Sequence, residues 1–271
     1  MVMDETTAIE RVLRRDRLIV LGGLLAIIIL AWIFVLEGAG TGMSVGAMTT
    51  WRFPPPVVPL ANEPWPAQYW LIMLLMWWAM MVAMMTPSAA PMILLYARVA
   101  RRAQKQGQMP QAVVPTAWFV LGYLTSWLAF STVAVAVQWT LERIGLMHMM
   151  MMWSLDKWLS GTLLMAAGLY QLSPLKDTCL LACRSPVEFL SRHWRQGPTG
   201  ALHLGLAHGL YCIGCCWALM ALLFVGGIMN VVWIVGLTTV VLVEKIAPYG
   251  HQVARVTGTV LVATAIYVIA G

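Results

Sequence analysis

The chain has 271 residues, of which 61% are hydrophobic and only 10% charged, with a formal net charge of +6 and a mean hydropathy of +0.79. That balance excludes an ordinary soluble domain. The apolar runs are continuous rather than alternating, which excludes a membrane β-barrel and predicts an all-α, polytopic bundle of transmembrane helices.

A spanning helix needs about 20 mostly apolar residues. Seven windows fit, the sixth being the shortest, so six to seven crossings are expected. Residues 1–17 form a tail carrying Arg11, Arg14, Arg15 and Arg17, and the first span is Leu18–Leu36. That apolar run is long for a signal peptide and has no clear small-residue cleavage site after it, so it reads as a retained helix. A Pro-rich loop, "RFPPPVVPLANEPWP" (52–66), follows and reads, with Trp51 and Trp65, as an outer lid or aromatic belt.

The second span, Tyr69–Tyr96, carries Met73, Met76, Met80 and Met84 on one stripe, with Met81 and Met85 beside it. Such spacing stacks thioethers along a helix, although methionine is also a flexible filler of cores. The third span is Thr116–Leu141. After it comes the run Met147, His148, Met149, Met150, Met151 and Met152, ahead of Trp153. This run reads either as an interfacial anchor or as an outer capture site for a soft metal, which Met43 and Met48 would join.

The fourth span, Leu155–Leu172, runs into "YQLSPLKDTCLLACRSP" (170–186), where Cys179 and Cys183 are one helical turn apart. The remaining spans are Leu204–Met229, Val231–Val243 and Gln252–Ala270. No internal repeat appears, and residues 18–271 read as a single transmembrane domain.

Lysine and arginine placement sets the expected orientation. Arg98, Arg101, Arg102 and Lys105 follow the second span, and Lys176, Arg184, Arg192 and Arg195 follow the fourth; the opposite loops hold Arg52, Arg143 and Lys157. A bacterial inner-membrane protein with a cytoplasmic N-terminus is expected. The same asymmetry accounts for the net charge, so no nucleic-acid partner is implied. All five cysteines then lie near a reducing compartment, where structural disulfides are rare and thiols bind metals, react or stay inert.

The densest chemistry is in "AHGLYCIGCCWALMALLFVGG" (207–227). At about 100° per residue, His208, Cys212, Cys215 and Cys216 share one helical face, and Leu219, Leu223, Gly226 and Asn230 continue it outward. His208 to Cys216 covers roughly 12 Å of helix. One helix therefore cannot wrap all four side chains around one ion, and the Cys179–Cys183 segment or the methionine stripe must complete any site. Thiolate, thioether and imidazole ligands select Cu(I), with zinc as the alternative, whereas hard cations need carboxylates. Glu244 and Asp156 are acidic residues at helix ends, and the core of the spans is nearly free of them. Only Cu(I) also gives the methionines Met76, Met80 and Met84, or Met147, His148 and Met149, a part as transfer ligands.

Other readings of the same residues stand beside this one. Cys212-x-x-Cys215 has the spacing of a thiol redox pair. Small side chains such as Cys also serve close helix packing in lipid. His208 is polar inside a span, which marks function by default, while His193, His203 and His251 read as solvated loop residues. No nucleophile elbow, zinc-protease motif, phosphate loop or dinucleotide fingerprint is present, so enzymatic activity is not expected.

Three segments in order, "MWWAMMVAMMTPSAAPMILLYARVARR" (76–102), "GLYQLSPLKDTCLLACRSP" (168–186) and "HGLYCIGCCWALMALLFVGGIMNVVWI" (208–234), followed by Glu244-Lys245, resemble a bacterial family of metal-binding integral membrane proteins known as domain of unknown function 2182. The resemblance covers about residues 68–250. Its matching positions are Met80, Met84 and Pro87; Tyr170, Gln171, Pro174, Lys176, Cys179 and Cys183; and His208, Tyr211, Cys212, Cys215 and Cys216. It implies a multi-pass inner-membrane protein linked to copper handling, with a copper donor or acceptor protein as partner.

Overall fold

The computed structural model describes residues 2–49, 65–107, 112–148, 152–195 and 197–271, with side chains from Leu18 onward. The described residues form α1 (Val2–Leu36), α2 (Val45–Met48), α3 (Ala67–Lys105), α4 (Val113–Arg143), α5 (Lys157–Gln171), α6 (Pro174–Arg184), α7 (Pro186–His193), α8 (Gly197–Ala221), α9 (Leu223–Gly226), α10 (Val231–Ile246) and α11 (Gly250–Ala270). No strand occurs among them, and the fold is an all-α bundle.

Five segments are long and apolar enough to cross a membrane: Leu18–Leu36, Ala67–Lys105, Val113–Arg143, Gly197–Gly226 and Gly250–Ala270. The chain is a membrane protein. Two further expected spans are α5 and α10, with 15 and 16 residues. At about 1.5 Å per residue they reach roughly 22 and 24 Å, short of the hydrocarbon thickness of about 30 Å. α5 packs along α11, and α10 packs between α3 and α11. Exposed apolar side chains, among them Leu25, Ile29 and Ile33 on α1 and Val256, Val260 and Ile266 on α11, form the outward face that lipid would cover.

The core is built on α3, α4 and α8. The methionine stripe of α3 faces inward, with Met73, Met76, Met80, Met81, Met84 and Met85 all fully buried. α4 and α8 approach closely at Gly122 and Gly205, where a Cβ would run into the backbone of Leu202 and of Phe119 respectively. Small residues at such contacts let helix backbones touch in lipid.

Local chemistry sets the ends of the shorter helices. The Asp156 carboxylate accepts from Leu159 N at 2.7 Å and caps α5. The Ser173 hydroxyl accepts from Lys176 N at 3.3 Å, and Pro174 occupies the first turn of α6. Pro suits that position because its missing N–H would have no intrahelical partner there.

The structure departs from the sequence expectation in three places. The segment 170–186 after the fourth span is largely helical: α5 ends at Gln171, α6 occupies Pro174–Arg184 and α7 starts at Pro186. The fifth span does not run straight to Met229: α8 ends at Ala221, α9 is a single turn, and Gly227 adopts φ 102°, a conformation that favours glycine. Asn230 therefore does not extend the cysteine face. Its side chain accepts from Val232 N at 3.1 Å and donates to Gly226 O at 2.9 Å, starting α10.

The methionine run is also not wholly exposed. Met147, His148, Met152 and Trp153 are buried, with Met147 bridged to Ser154 and Met152 O accepting from Ile228 N at 3.0 Å. Met48 is buried and Met43 partly so. Met149, Met150, Met151, Trp51 and most of the Pro-rich loop lie outside the described residues.

Candidate functional site

Four thiols gather where α6 meets α8. Cys212, Cys215 and Cys216 are buried on α8, and Cys183 of α6 brings its sulfur to 3.8 Å from that of Cys215. Cys216 Sγ lies 3.8 Å from Met85 Sδ on α3. The Cys215 and Cys216 thiols both donate to Cys212 O, at 3.1 and 2.9 Å. Those bonds are local to the helix and fix the two side chains against its backbone.

A cation and a phenol complete the pocket. Lys245 Nζ, near the end of α10, donates to Cys212 Sγ at 2.9 Å and to Ser88 Oγ at 3.1 Å. Tyr123 of α4 donates to Met85 O at 3.1 Å and has its oxygen 3.2 Å from Cys212 Sγ. Five helices thus converge on one cluster: α3, α4, α6, α8 and α10. Its donor atoms are soft sulfurs, and the charge in contact with one of those sulfurs is the Lys245 ammonium.

α6 is held in place by polar bonds that the apolar surroundings strengthen. Lys176 Nζ pairs with Glu244 at 2.6 Å and donates to Cys215 O at 2.5 Å; both side chains are buried. Gln171 Nε2 donates to the other oxygen of Glu244 at 2.5 Å. Arg184 donates to Glu244 O at 2.6 Å and to Pro248 O at 3.0 Å, closing the other end of α6 on the α10–α11 turn. The Tyr170 hydroxyl donates to Gly214 O. Cys179 packs on the same glycine, where a Cβ would stand 2.8 Å from its sulfur.

The two α6 thiols sit in environments that keep their protons on. Hydrogen bonds to Cys212 and Cys215, together with burial, hold Cys183 well above the usual thiol range. Burial, and the nearby Cys215, raise Cys179.

The other expected site residues fall at different distances from this centre. His208 is buried one turn below Cys212, against the rings of Phe119, Tyr123 and Phe189, and its Nδ1 has no hydrogen-bond partner among the described residues. Met76, Met80 and Met84 lie on the buried stripe leading away along α3. Met147 and His148 are held beside α9, apart from the thiols. Among the described residues, no three His, Cys, Asp or Glu side chains already enclose a point where one ion could sit.

Sequence reasoning missed Lys245, Tyr123 and Ser88. Lys245 carried a readable signal, since an ionisable residue at the end of an apolar span needs a partner. Tyr123 and Ser88 carried none. His193 and His251, expected to be solvated, are each partly engaged: His193 stacks on Phe189, and His251 lies 2.8 Å from Asp177.

A family model described as PpoB2, copper chaperone, matches residues 74–268, from the methionine stripe to the last turns of α11. No curated protein and no solved structure matches the chain.

Proposed function

We propose, from the premise that the chain belongs to the PpoB2 copper-chaperone family, that it binds Cu(I) at the thiol cluster and hands it on at the membrane. The observation that carries this reading is the approach of Cys183 to Cys215 at 3.8 Å, with Cys212, Cys216 and Met85 around them. Two sulfurs each about 2.3 Å from one ion, at a tetrahedral angle, would stand about that far apart. Small movements of Cys212 would then supply a third sulfur donor, bound as the neutral thiol so that the site holds two thiolates. Soft sulfur donors favour Cu(I) over hard cations, and the family description favours copper over zinc.

Roles follow from position. Cys183, Cys212 and Cys215 are the primary ligands, with Cys216 and Met85 as neighbours able to take the ion over. Cys179, on the same helix and partly exposed as Cys183 also is, stands outside the cluster and is placed to pass an ion to or from a partner protein. His208, with an unpartnered ring nitrogen one turn away, is a further ligand. Met84, Met80 and Met76 offer weaker donors along α3. The lysine and arginine asymmetry supports an inner-membrane protein with its N-terminus and α6 on the cytoplasmic side, and residues 18–271 act as one domain.

Elemental analysis of protein purified under reducing conditions tests this. About one equivalent of copper is expected in the intact chain and less than about a tenth after Cys212→Ser plus Cys215→Ser, because removing thiolates from a soft site abolishes most of its affinity. Failure of the intact protein to retain copper would sink the proposal.

The same 3.8 Å contact favours one other reading, a membrane thiol–disulfide protein in which Cys183 and Cys215 form the pair, rather than Cys212 and Cys215. It predicts an oxidant-dependent alkylation shift lost in Cys183→Ser, in protein that holds no copper.

A further inference from the structure

At the other end of the methionine stripe lies a buried carboxylate that no cation among the described residues accompanies. Glu142, in the last turn of α4, is 5% exposed. Its oxygens accept from Gln138 Nε2 at 2.9 Å and from Trp65 Nε1 at 2.9 Å, both neutral donors. The ion pairs among the described residues are Lys176 with Glu244, Arg192 with Glu188 and His251 with Asp177; none includes Glu142. Arg143, next in sequence, is exposed and lies over the Trp139 ring instead. An uncompensated buried charge is costly.

A soft donor shares a hydrogen-bond partner with this carboxylate. The same Gln138 nitrogen that binds Glu142 also approaches Met73 Sδ at 3.7 Å, so carboxylate and thioether converge on one amide. Gln138 is itself fully buried and is fixed by Trp77, whose Nε1 donates to its carbonyl at 2.7 Å. Met73 begins the stripe that continues through Met76, Met80 and Met84, and Met85 ends it against Cys216. From Met73 to Met85 is twelve residues, or about 18 Å of helix. Successive thioethers are thus separated by four residues or fewer, about one turn.

We infer that Glu142 and Met73, which an incoming ion would bridge in place of the Gln138 amide they now share, form a second and weaker site for a monovalent soft cation, separated from the thiol cluster by the methionine stripe. The carboxylate supplies the compensating charge and Met73 the soft ligand. A thioether is a weaker donor than a thiolate, so an ion held here would pass readily along the stripe to the thiols. The identity of the ion rests on the copper reading above. The site itself rests on the Glu142–Gln138–Met73 geometry.

Silver(I) and Cu(I) binding to the purified full chain, measured by equilibrium competition with a chelator of known affinity, separates the two claims. The intact protein is expected to show a tight class of site and a weaker one. Only the tight class should disappear in Cys212→Ser plus Cys215→Ser. In that background Glu142→Gln and Met73→Leu should each weaken the remaining class by at least about tenfold, or about 1.4 kcal/mol. In the otherwise intact chain both substitutions should leave the tight class within about twofold, a small fraction of a tenfold step. Absence of a weaker class from the thiol-depleted protein overturns the inference, as does a weaker class that neither substitution changes. If Glu142→Gln also abolishes the tight class, the protein has misfolded and the near-isosteric Met73→Leu decides alone. Absence of the tight class from the intact protein counts against the thiol reading only.

Discussion

Cys183 and Cys215 lie 32 residues apart in sequence, on different helices, yet their sulfurs are 3.8 Å apart. Cys179, one turn earlier on α6 and half-buried like Cys183, packs instead against Gly214 of α8. The two α6 thiols should therefore behave differently. Cys183→Ser is expected to weaken Cu(I) binding by at least about a hundredfold, the loss of roughly 3 kcal/mol that one soft ligand exchanged for a hard one represents. Cys179→Ser should leave equilibrium affinity within about threefold and slow copper exchange with a soluble thiol acceptor. Equal effects of the two on affinity would contradict the assignment.

The buried pair Lys176–Glu244 supplies a stability prediction. Lys176→Met leaves the Glu244 carboxylate inside the protein with, among the described residues, Gln171 alone as a side-chain partner. Breaking a buried pair from one side costs about 3–5 kcal/mol, whereas replacing both partners by apolar residues is often near neutral. Thermal unfolding in detergent should show a large loss for Lys176→Met and a clear recovery for Lys176→Met with Glu244→Leu. Because α6 carries Cys183, the single variant should also lose copper. A double variant no more stable than the single one would show that the pair does not brace α6.

Acid should release the metal. The Cys183 thiol is held above the usual range, so it is protonated at neutral pH and must give up that proton to ligate. Binding is then linked to proton release: affinity falls as pH falls and keeps rising as pH passes the ordinary thiol range. About one decade of affinity is expected per pH unit for each proton released. Competition titrations between about pH 6 and pH 9, a window chosen around the ordinary cysteine value, measure the slope. A flat profile would point to thioether-only ligation, since methionine does not titrate.

Much of the architecture was legible in one dimension because lipid imposes a strong rule: spans must be long, apolar and internally hydrogen-bonded. The apolar windows located α1, α3, α4, α8 and α11, and the short ones fell on α5 and α10. The face shared by Cys212, Cys215 and Cys216 followed from helical periodicity, and the need for a second element followed from the rise per residue. Which element supplied it did not. Cys183 reaches Cys215 because Ser173 and Pro174 start a helix after α5 and because Lys176 and Arg184 tie that helix to α10. Lys176 and Glu244 are 68 residues apart, and periodicity carries no information at that range. The end of α8 was misjudged for a different reason. Apolarity continues through residues 222–229, while the backbone turns at Gly227, a feature of conformation rather than hydropathy.

Lys245 gives the pocket an arithmetic of its own. Two thiolates, one ammonium and one monovalent ion sum to zero, so a Cu(I) complex beside Lys245 would be electroneutral in a region with few other charges. A divalent ion on the same two thiolates would leave the assembly one charge in excess, a state the surrounding apolar helices oppose. In the proposed site the lysine would thus act as a valence filter, discriminating by charge between ions that sulfur alone would accept. Replacing it by Met removes the filter, and direct competition between Cu(I) and Zn(II) should then shift toward zinc; an unchanged ratio in Lys245→Met would assign the selectivity to ligand softness alone.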